Sequence, residues 1–420
     1  MHVRTISTFI LTALLATITL AEDWPQFRGP TGDGISTGKG FATTWGPDEN
    51  IKWKTPLPSE GNGSPIVSSG RVFLAAATDD RRKRHLTCFD RADGKELWVR
   101  TVEYDKVLKA HKTNSFGGST PAADGKHAVV WHSSAGLFCY DFAGKELWSR
   151  ELGEFEHIWG QGSSPIIYGD KVVLHSGPGE KMFVAAFELD SGKTLWETPE
   201  ANDGEGSARA DGKWMGSWST PLIVKVNGQD QIVCTMPTRV NGYDTESGDI
   251  IWTCDGIRGP KGDLAYSSPI IVGDLCFYTG GYGGPSIAFK LGGSGNITES
   301  NRLWRKERNP QSIGSGVAVG KHVFRPNAGP GTIQCLVAET GEEKWQNRAA
   351  GANHWGSMVL ADGHLYVTNQ NGTTVVLKPN TEEYEEVAQN QLGEDSNSTP
   401  AFSDGEIFLR TFQHLYCIGD

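Results

Sequence analysis

Short runs of apolar, mostly β-branched residues recur along the chain and alternate with turns that are rich in Gly and Asp. Each unit starts at a Ser or Thr, runs through a short strand, a turn and a second strand, and ends in a hairpin that closes on Trp. Pro follows the starting residue in six copies, at Ser64, Thr120, Ser164, Thr220, Ser268 and Thr399, and two degenerate copies start at Ser315 and Ser357. The pattern predicts eight units of four short antiparallel strands.

Each unit also has two recurrent packing positions. The third strand carries a small residue followed by a large apolar one, as in Cys88-Phe89 and Ala186-Phe187. The fourth strand carries a Trp in most copies: Trp98, Trp148, Trp196, Trp252, Trp304 and Trp345. A side chain that recurs so regularly indicates packing between neighbouring units rather than a set of separate active sites.

The units have the size of propeller blades, and a single blade exposes both faces until neighbours cover them. The last copy, residues 415–420, is a third strand with no fourth strand after it. Residues 51–56 carry Trp53, the Trp of a fourth strand, and directly precede the first unit. We therefore expect an all-β, eight-bladed β-propeller over residues 51–420, closed by its N-terminal strand.

The start of the chain has the pattern of an export sequence. Residues 1–21 combine a weakly basic start, an apolar stretch and small residues before a polar Glu-Asp pair, which predicts a cleaved signal peptide. An uncleaved membrane anchor is the alternative. No other segment is long and apolar enough to cross a bilayer. The protein is expected to be secreted or periplasmic, with residues 22–50 as an N-terminal extension of the propeller.

Charge and cysteine content restrict the partners and the covalent structure. Lys and Arg number 39 against 50 Asp and Glu, and the resulting net charge of -11, without basic runs, argues against nucleic acid. The seven cysteines include no CxxC motif and no adjacent pair. Several share the third-strand position of different blades, where they lie too far apart to bridge. Buried free thiols are therefore preferred over a structural disulfide.

Three hairpins share the form Gly-Lys-x-Leu-Trp and end at Trp98, Trp148 and Trp196, and residues 23–30 read Asp-Trp-Pro-Gln-Phe-Arg-Gly-Pro. With these motifs, residues 24–420 resemble the PQQ-like (quinoprotein alcohol dehydrogenase-like) β-propeller repeat family and the opening of its secreted bacterial members. The resemblance implies eight tryptophan-docked blades. The family includes alcohol dehydrogenases that bind pyrroloquinoline quinone (PQQ) with Ca²⁺. It also includes non-catalytic relatives such as the lipoprotein propeller of the outer-membrane barrel assembly machine.

The candidate site lies where the sequence departs from the repeat. In a propeller, the connections from an outer strand to the next inner strand surround one mouth of the channel, and loops of this kind often carry function. Aromatic and polar residues in these connections could stack a flat ligand. The candidates are Trp159, Trp218, His354 and Trp355, with Arg325 as a partner for a carboxylate. The alternative is that these aromatic residues only close the joints between blades.

Two functions are compatible with these residues. The first is a non-catalytic extracytoplasmic binding or assembly scaffold that presents its channel-mouth face to a protein or glycan partner. The second is a PQQ-dependent dehydrogenase of alcohols or sugars, with Ca²⁺ as its metal. Family dehydrogenases are longer and place an adjacent Cys-Cys disulfide over the quinone. This chain has no such pair and no matching Glu-Asn-Asp set for Ca²⁺. The scaffold is therefore favoured, and no metal ligands are assigned.

Overall fold

Eight antiparallel sheets of four principal strands follow one another along the chain and form a closed ring. The computed structural model describes residues 22–78, 80, 82–108, 110–201, 203–204 and 206–419, so the predicted signal peptide lies outside the described residues. Within these residues the helical elements are a 3₁₀ turn at Ser133–Ala135 and an α-helical turn at Thr298–Asn301. The predicted eight-bladed β-propeller is confirmed.

In each blade we name the strands A to D from the innermost to the outermost. Blade 1 consists of Ile66–Ser68, Arg71–Ala77, Lys83–Asp90 and Glu96–Glu103, and blade 2 of Ala122–Ala123, His127–Trp131, Leu137–Asp141 and Glu146–Arg150. Blade 3 consists of Ile166–Tyr168, Lys171–His175, Phe183–Glu188 and Thr194–Pro199, and blade 4 of Leu222–Val226, Gln229–Thr235, Arg239–Asp244 and Ile250–Asp255. Blade 5 consists of Ile270–Val272, Leu275–Thr279, Ser286–Lys290 and Arg302–Lys306, and blade 6 of Val317–Val319, His322–Pro326, Thr332–Val337 and Glu343–Arg348. Blade 7 consists of Val359–Ala361, His364–Thr368, Thr373–Leu377 and Glu386–Gln391, and blade 8 of Ala401–Ser403, Glu406–Arg410, His414–Ile418 and Ile51–Pro56.

The ring is closed by the strand that begins the propeller. Ile51–Pro56 pairs antiparallel with His414–Ile418, and its register places Trp53 opposite Cys417 and Lys54 opposite Tyr416. The last blade therefore combines both ends of the propeller, as expected from the sequence. Closure removes the exposed strand edge and the exposed blade face that an open array would leave at each end.

A second ring of hydrogen bonds surrounds the axis at the residues that start the blades. Each of these eight buried residues donates its backbone N–H to the hydroxyl oxygen of its counterpart in the next blade, over distances from 2.8 to 3.2 Å. The circle runs in the order Ser64, Thr120, Ser164, Thr220, Ser268, Ser315, Ser357, Thr399 and back to Ser64. We call it the axial ring. It explains why Ser or Thr is kept even in the two copies that have lost Pro.

The outer strands contact the next blade through their tryptophans. Trp98 in blade 1 donates its indole N–H to the carbonyl of Phe142 in the C–D turn of blade 2, at 3.0 Å. In that turn Gly144 has a positive φ of 83°, and a Cβ there would lie 2.8 Å from the Trp98 ring. The Gly of one Gly-Lys-x-Leu-Trp hairpin thus accommodates the Trp of the preceding hairpin. The same hydrogen bond recurs at Trp53, Trp148, Trp196, Trp304 and Trp345.

Two blades depart from this docking: the outer strand of blade 7 has Ala388 at the position of the Trp, and the Trp of blade 4 turns the other way. Trp252 donates to the Gln231 side chain of its own blade at 2.8 Å, and it packs on Gly242, where a Cβ would collide with the indole. The insertion of blade 5 adds a short strand, Gly295–Asn296, parallel to the outer strand of blade 4. The Gly-rich insertion therefore covers the side of blade 4 at which the standard turn would have bound the Trp.

Residues 22–50 lie across the face formed by the A–B turns. Phe27 is the residue of this segment that lines the central channel, and the Arg28 guanidinium is buried and donates to the Gly316 carbonyl and, at 2.6 Å, to that of Asp33. Other hydrogen bonds join the segment to blades 1, 2, 3, 7 and 8: Trp24 with Val67, Pro25 with Ala123, Gln26 with Ile167, Ser36 with Leu360, and Glu22 with Ser403. Because it contacts blades on opposite sides of the axis, the segment closes this end of the channel.

The hydrophobic core is divided among the joints between neighbouring blades. The cluster that contains Val129, Trp131, Val172 and Phe187, for example, lies between blades 2 and 3. The seven cysteines belong to these interiors, and all of them are buried and free, as predicted. Burial raises the pKa of the Cys88 and Cys139 thiols to about 12, which keeps them in the unreactive thiol form.

The axial ring predicts a hydroxyl requirement that can be tested in blade 3. Ser164→Ala leaves the buried Thr120 N–H without its acceptor, and we expect the free energy of unfolding to fall by about 1–3 kcal/mol. Ser164→Thr keeps the hydroxyl and is the matched control. Chemical denaturation measures both, and equal stability of the Ala and Thr variants would contradict the role of the ring.

A polar cluster supports the closing strand beside blade 8. Glu394 accepts hydrogen bonds from Thr411 at 2.5 Å and Tyr416 at 2.8 Å, and its carboxylate lies 3.1 Å from Lys54 and 2.8 Å from His414. Burial alone would raise the pKa of Glu394. The hydrogen bonds outweigh that effect and lower the pKa from 4.5 to about 2.

This cluster predicts an acid-dependent loss of stability. Because the pKa of Glu394 is lower in the folded than in the unfolded chain, its stabilisation is complete above about pH 4.5 and is lost as the pH falls towards 2. We expect Glu394→Gln to be less stable than the wild type at neutral pH, with a smaller further loss over that acid range. Unfolding measured at several pH values tests this, and parallel pH profiles of the two proteins would refute it.

Candidate functional site

The channel contains a cavity of about 310 Å³ that extends from Phe27 to the mouth opposite the N-terminal segment. Each of the eight D–A connections contributes at least one lining residue. Members of the axial ring form a polar girdle around the cavity: Ser64, Thr120, Thr220, Ser268, Ser315, Ser357 and Thr399. The cavity is thus a product of ring closure, because no single blade contains more than a sector of it.

An aromatic wall occupies the side of the cavity next to blades 3 to 5. Trp218 and Tyr266 have ring centroids 5.2 Å apart and come from successive D–A connections. These two connections pair as short parallel strands, Met215–Ser217 with Asp263–Ala265. The backbone N–H of Trp218 extends the pairing by donating to the Ala265 carbonyl at 2.8 Å. The pairing fixes the two rings side by side.

Trp159 and Tyr282 continue the wall towards the mouth, with ring centroids 6.0 Å apart. Asn114 fixes the Trp159 segment because its side-chain amide donates to the Trp159 carbonyl at 2.6 Å. Tyr282 has a φ of 52°, in the left-handed region that favours Gly. A side chain in this conformation costs about 1 kcal/mol, so packing must hold the ring over the channel. Gly281 next to it is required because a Cβ there would enter the Tyr266 ring.

The structure brings three of the five predicted site residues together at the cavity. Trp159 and Trp218 lie in the aromatic wall, and Trp355 lines the side formed by the connection between blades 6 and 7. His354 is fully buried outside the cavity lining, and burial lowers the pKa of its imidazole to about 4. Arg325 is also buried outside the lining and donates to Gln334 and Thr279, both at 2.8 Å.

The lining within the described part of the chain contains no Asp, Glu, Lys or Arg. Its polar side-chain groups are amides, hydroxyls, the indole N–H groups of its tryptophans and the imidazole ring of His111. Just behind the wall, His157 packs edge-on against Trp218 with centroids 4.9 Å apart, and burial lowers the pKa of His157 to about 4. His157 is therefore neutral at ordinary pH. The site can stack rings and exchange neutral hydrogen bonds, but it holds no fixed charge.

PQQ and Ca²⁺ do not fit this lining. The quinone is a flat tricarboxylate, which needs cationic partners, and Ca²⁺ needs several carboxylate or carbonyl oxygens. The predicted carboxylate partner, Arg325, is bound elsewhere, and Arg239 near the mouth is engaged by Glu200 and Asp203. Among the described residues no three His, Cys, Asp or Glu side chains are placed to hold a metal ion.

Several lining residues were not recognised as candidates from the sequence. Phe27 reaches the cavity only because the N-terminal segment crosses the axis. Asn62 and Asn397, from the connections on either side of blade 8, are joined by a 3.1 Å hydrogen bond between their side chains. Tyr266 precedes the Ser-Ser-Pro start of blade 5, a position that could have identified it, since Trp218 stands two residues before Thr220 in blade 4.

The fold and the channel-mouth cavity define an eight-bladed β-propeller of the PQQ-like type. The sequence profile of the family described as outer membrane protein assembly factor BamB matches residues 35–115, 82–347 and 329–417, which together span 35–417. The chain therefore belongs to this family, and the resemblance read from its hairpins is confirmed. No match is found among curated protein sequences.

Solved structures with similar folds include both kinds of relative. BamB from Moraxella catarrhalis aligns with a TM-score of 0.59 at 15% identity, covering 87% of this chain and 96% of that protein. The quinohemoprotein alcohol dehydrogenase from Comamonas testosteroni aligns with a TM-score of 0.65 at 11% identity, covering 95% and 80%. A europium-containing methanol dehydrogenase aligns with a TM-score of 0.55 at 10% identity, covering 95% and 98%. At these identities the similarity shows the fold alone.

Proposed function

We propose that the protein is a non-catalytic binding or assembly scaffold that works outside the cytoplasm and receives its partner on the channel-mouth face. The observation that carries the proposal is the lining of the cavity, which offers aromatic rings, amides, hydroxyls and the single imidazole of His111, and has no Asp, Glu, Lys or Arg among the described residues. No three His, Cys, Asp or Glu side chains of the described residues are placed to hold a metal ion. Such a lining supports recognition rather than a reaction.

The shape of the propeller makes the mouth the accessible end of the channel. The N-terminal segment covers the opposite face, so a partner has access to the cavity only from the D–A connections. These connections also expose apolar side chains: Val107, Ile158 and Trp214, with exposed fractions of 54%, 37% and 36%. Exposed apolar residues around a recessed site are typical of binding faces.

The proposed location rests on the predicted signal peptide and on the family. The matching family is described as an outer membrane protein assembly factor, which is consistent with an extracytoplasmic scaffold. In the described ranges no helix has the length and hydropathy needed to span a membrane. Cleavage of the signal peptide at residue 21 stays a prediction.

The first test maps the binding face by photo-crosslinking. A photoreactive amino acid replaces Ile158 at the mouth or, as the control, Lys39 in the N-terminal segment on the opposite face. We expect discrete adducts with extracytoplasmic material of the source cells from position 158 and none from position 39. Equal labelling from both positions, or labelling from position 39 alone, would contradict the assignment of the face.

The second test addresses the dehydrogenase alternative directly. Calorimetry with PQQ and Ca²⁺ should show no binding at millimolar concentrations, because the lining, as far as the structure describes it, has no Lys or Arg for the three carboxylates. Dye reduction with alcohols and aldose sugars should stay at the level of the cofactor without protein. Saturable quinone binding together with substrate-dependent dye reduction would replace the scaffold by an enzyme.

A further inference from the structure

We propose that the cavity holds the uncharged end of an oligosaccharide, and that the groove beside it holds the sugars that follow. This inference rests on the proposed binding function and names the chemistry of the ligand. Three features of the described residues carry it: the aromatic wall, the hydroxyls of the axial ring and the absence of Asp, Glu, Lys and Arg from the lining of the cavity. A fourth, the groove, extends the site in one direction.

The aromatic wall offers stacking surfaces of the kind that sugar rings use. Trp159, Trp218, Tyr266 and Tyr282 meet at interplanar angles from 58 to 77° instead of forming one flat stack. Faces set at such angles surround a puckered ring better than a planar one, and their negative π-faces attract the C–H groups of a pyranose. The cavity of about 310 Å³ is at the small end of ligand pockets, which suits a terminal sugar.

The axial ring supplies the polar contacts. Each hydroxyl oxygen of the ring accepts a hydrogen bond from one backbone N–H. The O–H proton of each hydroxyl is therefore available to donate a further hydrogen bond. Ser268 uses that proton on the Thr220 carbonyl at 3.0 Å. The other six lining members donate to no acceptor within the described part of the chain. In the aromatic wall, Asn114 Oδ1 and Trp159 Nε1 are buried without a hydrogen-bond partner among the described residues. A ligand with many neutral hydroxyls matches such mixed donors and acceptors.

The lack of charge distinguishes a sugar from a peptide chain. The cavity is closed at Phe27, so a linear polymer enters it by its end. The end of a peptide carries an ammonium or a carboxylate, and burying either without a partner is costly. The non-reducing end of a neutral sugar carries only hydroxyls. A protein partner could occupy the cavity with a side chain instead, which the experiment below tests.

The groove gives the polymer a direction. A second depression of about 370 Å³ adjoins the cavity and shares Asn62, Thr113, Asn114 and Asn397 with it. Glu60 and Lys112 also line this groove, so the absence of charge is a property of the cavity and not of the groove. Gln370 donates to Asn397 at 3.2 Å, Asn397 to Asn62 at 3.1 Å, and Asn62 to the Thr113 carbonyl at 3.0 Å. This line of amides leads from the channel over blade 8 and provides hydrogen bonds along an extended ligand.

The experiment titrates the protein without its signal peptide with cellotetraose, maltotetraose, xylotetraose and chitotetraose, using tryptophan fluorescence and calorimetry. We expect at least one to bind, and a counterpart whose non-reducing end alone is a uronic acid to bind more weakly, because the cavity has no Lys or Arg among its described lining residues. Trp159→Ala should raise the Kd about tenfold through loss of one stacking surface. Leu195→Ala is the control, an exposed apolar side chain on the outer strand of blade 3, away from the mouth and the lining, and should leave the Kd unchanged.

Tyr282→Gly keeps the test decisive even if Trp159→Ala fails to fold. Glycine adopts the φ of 52° at this position without cost, so this variant removes the ring while the backbone stays relaxed. We expect this variant to fold, because the relaxed backbone offsets part of the lost ring packing, and we expect a Kd raised about tenfold. A Kd that both ring variants leave unchanged would overturn the cavity as the sugar site.

The outcomes separate this inference from the proposed function. If a capped aromatic peptide binds and no oligosaccharide does, the cavity takes a protein side chain, and the sugar is refuted while the scaffold stands. If neither binds but the crosslinks at position 158 persist, the sugar is again refuted alone. Quinone binding with dye reduction would remove both proposals together.

Discussion

The hydrogen bond from a backbone N–H in one blade to the hydroxyl of the next, repeated eight times around the axis, is the constraint on which the rest of this structure depends. Each bond joins only two neighbouring blades. The circle can nevertheless be complete only if the number of blades, their tilt and their spacing are compatible with a closed ring. It sits where the inner strands begin, so it fixes the starting point of every blade relative to its neighbours. The paired chain ends in blade 8 and the docked tryptophans then secure the outer parts of the ring.

The same circle determines the polarity of the channel. Because the members of the axial ring are serines and threonines, the part of the channel that they line is polar but uncharged. The connections that precede these residues face the axis, and their aromatic and amide side chains are held there by short pairings such as that of Met215–Ser217 with Asp263–Ala265. The N-terminal segment closes the other end and places Phe27 at the floor. Structural closure and the character of the site are thus two consequences of one arrangement.

The fold could be read from the sequence because its determinants repeat. The Ser/Thr starts and the outer-strand tryptophans occur often enough that two degenerate copies and the displaced strand around Trp53 could be placed by analogy. The features that escaped are those that occur once. Trp252 turns into its own blade because Gly242 leaves room and an insertion covers it. The course of residues 22–50 depends on single contacts such as that of Arg28 with Gly316.

Prediction of the candidate site had the same limit: general features of the connections could be predicted, and single contacts could not. Loop position alone predicted that Trp159, Trp218 and Trp355 lie at the channel mouth, where the structure places them, since a D–A connection must pass this mouth. It could not show that Arg325 is buried, because its partner Gln334 lies opposite it in the next strand of blade 6 and its partner Thr279 is brought to it from blade 5 by packing. The position of Arg325 outside the cavity decides whether the lining carries a positive charge. With a free guanidinium at the mouth, the cavity could attract a carboxylate-rich ligand such as a quinone. With the guanidinium buried outside the cavity, the lining retains neutral hydrogen bonds and ring faces, and an uncharged ligand is the one that it can desolvate at little cost.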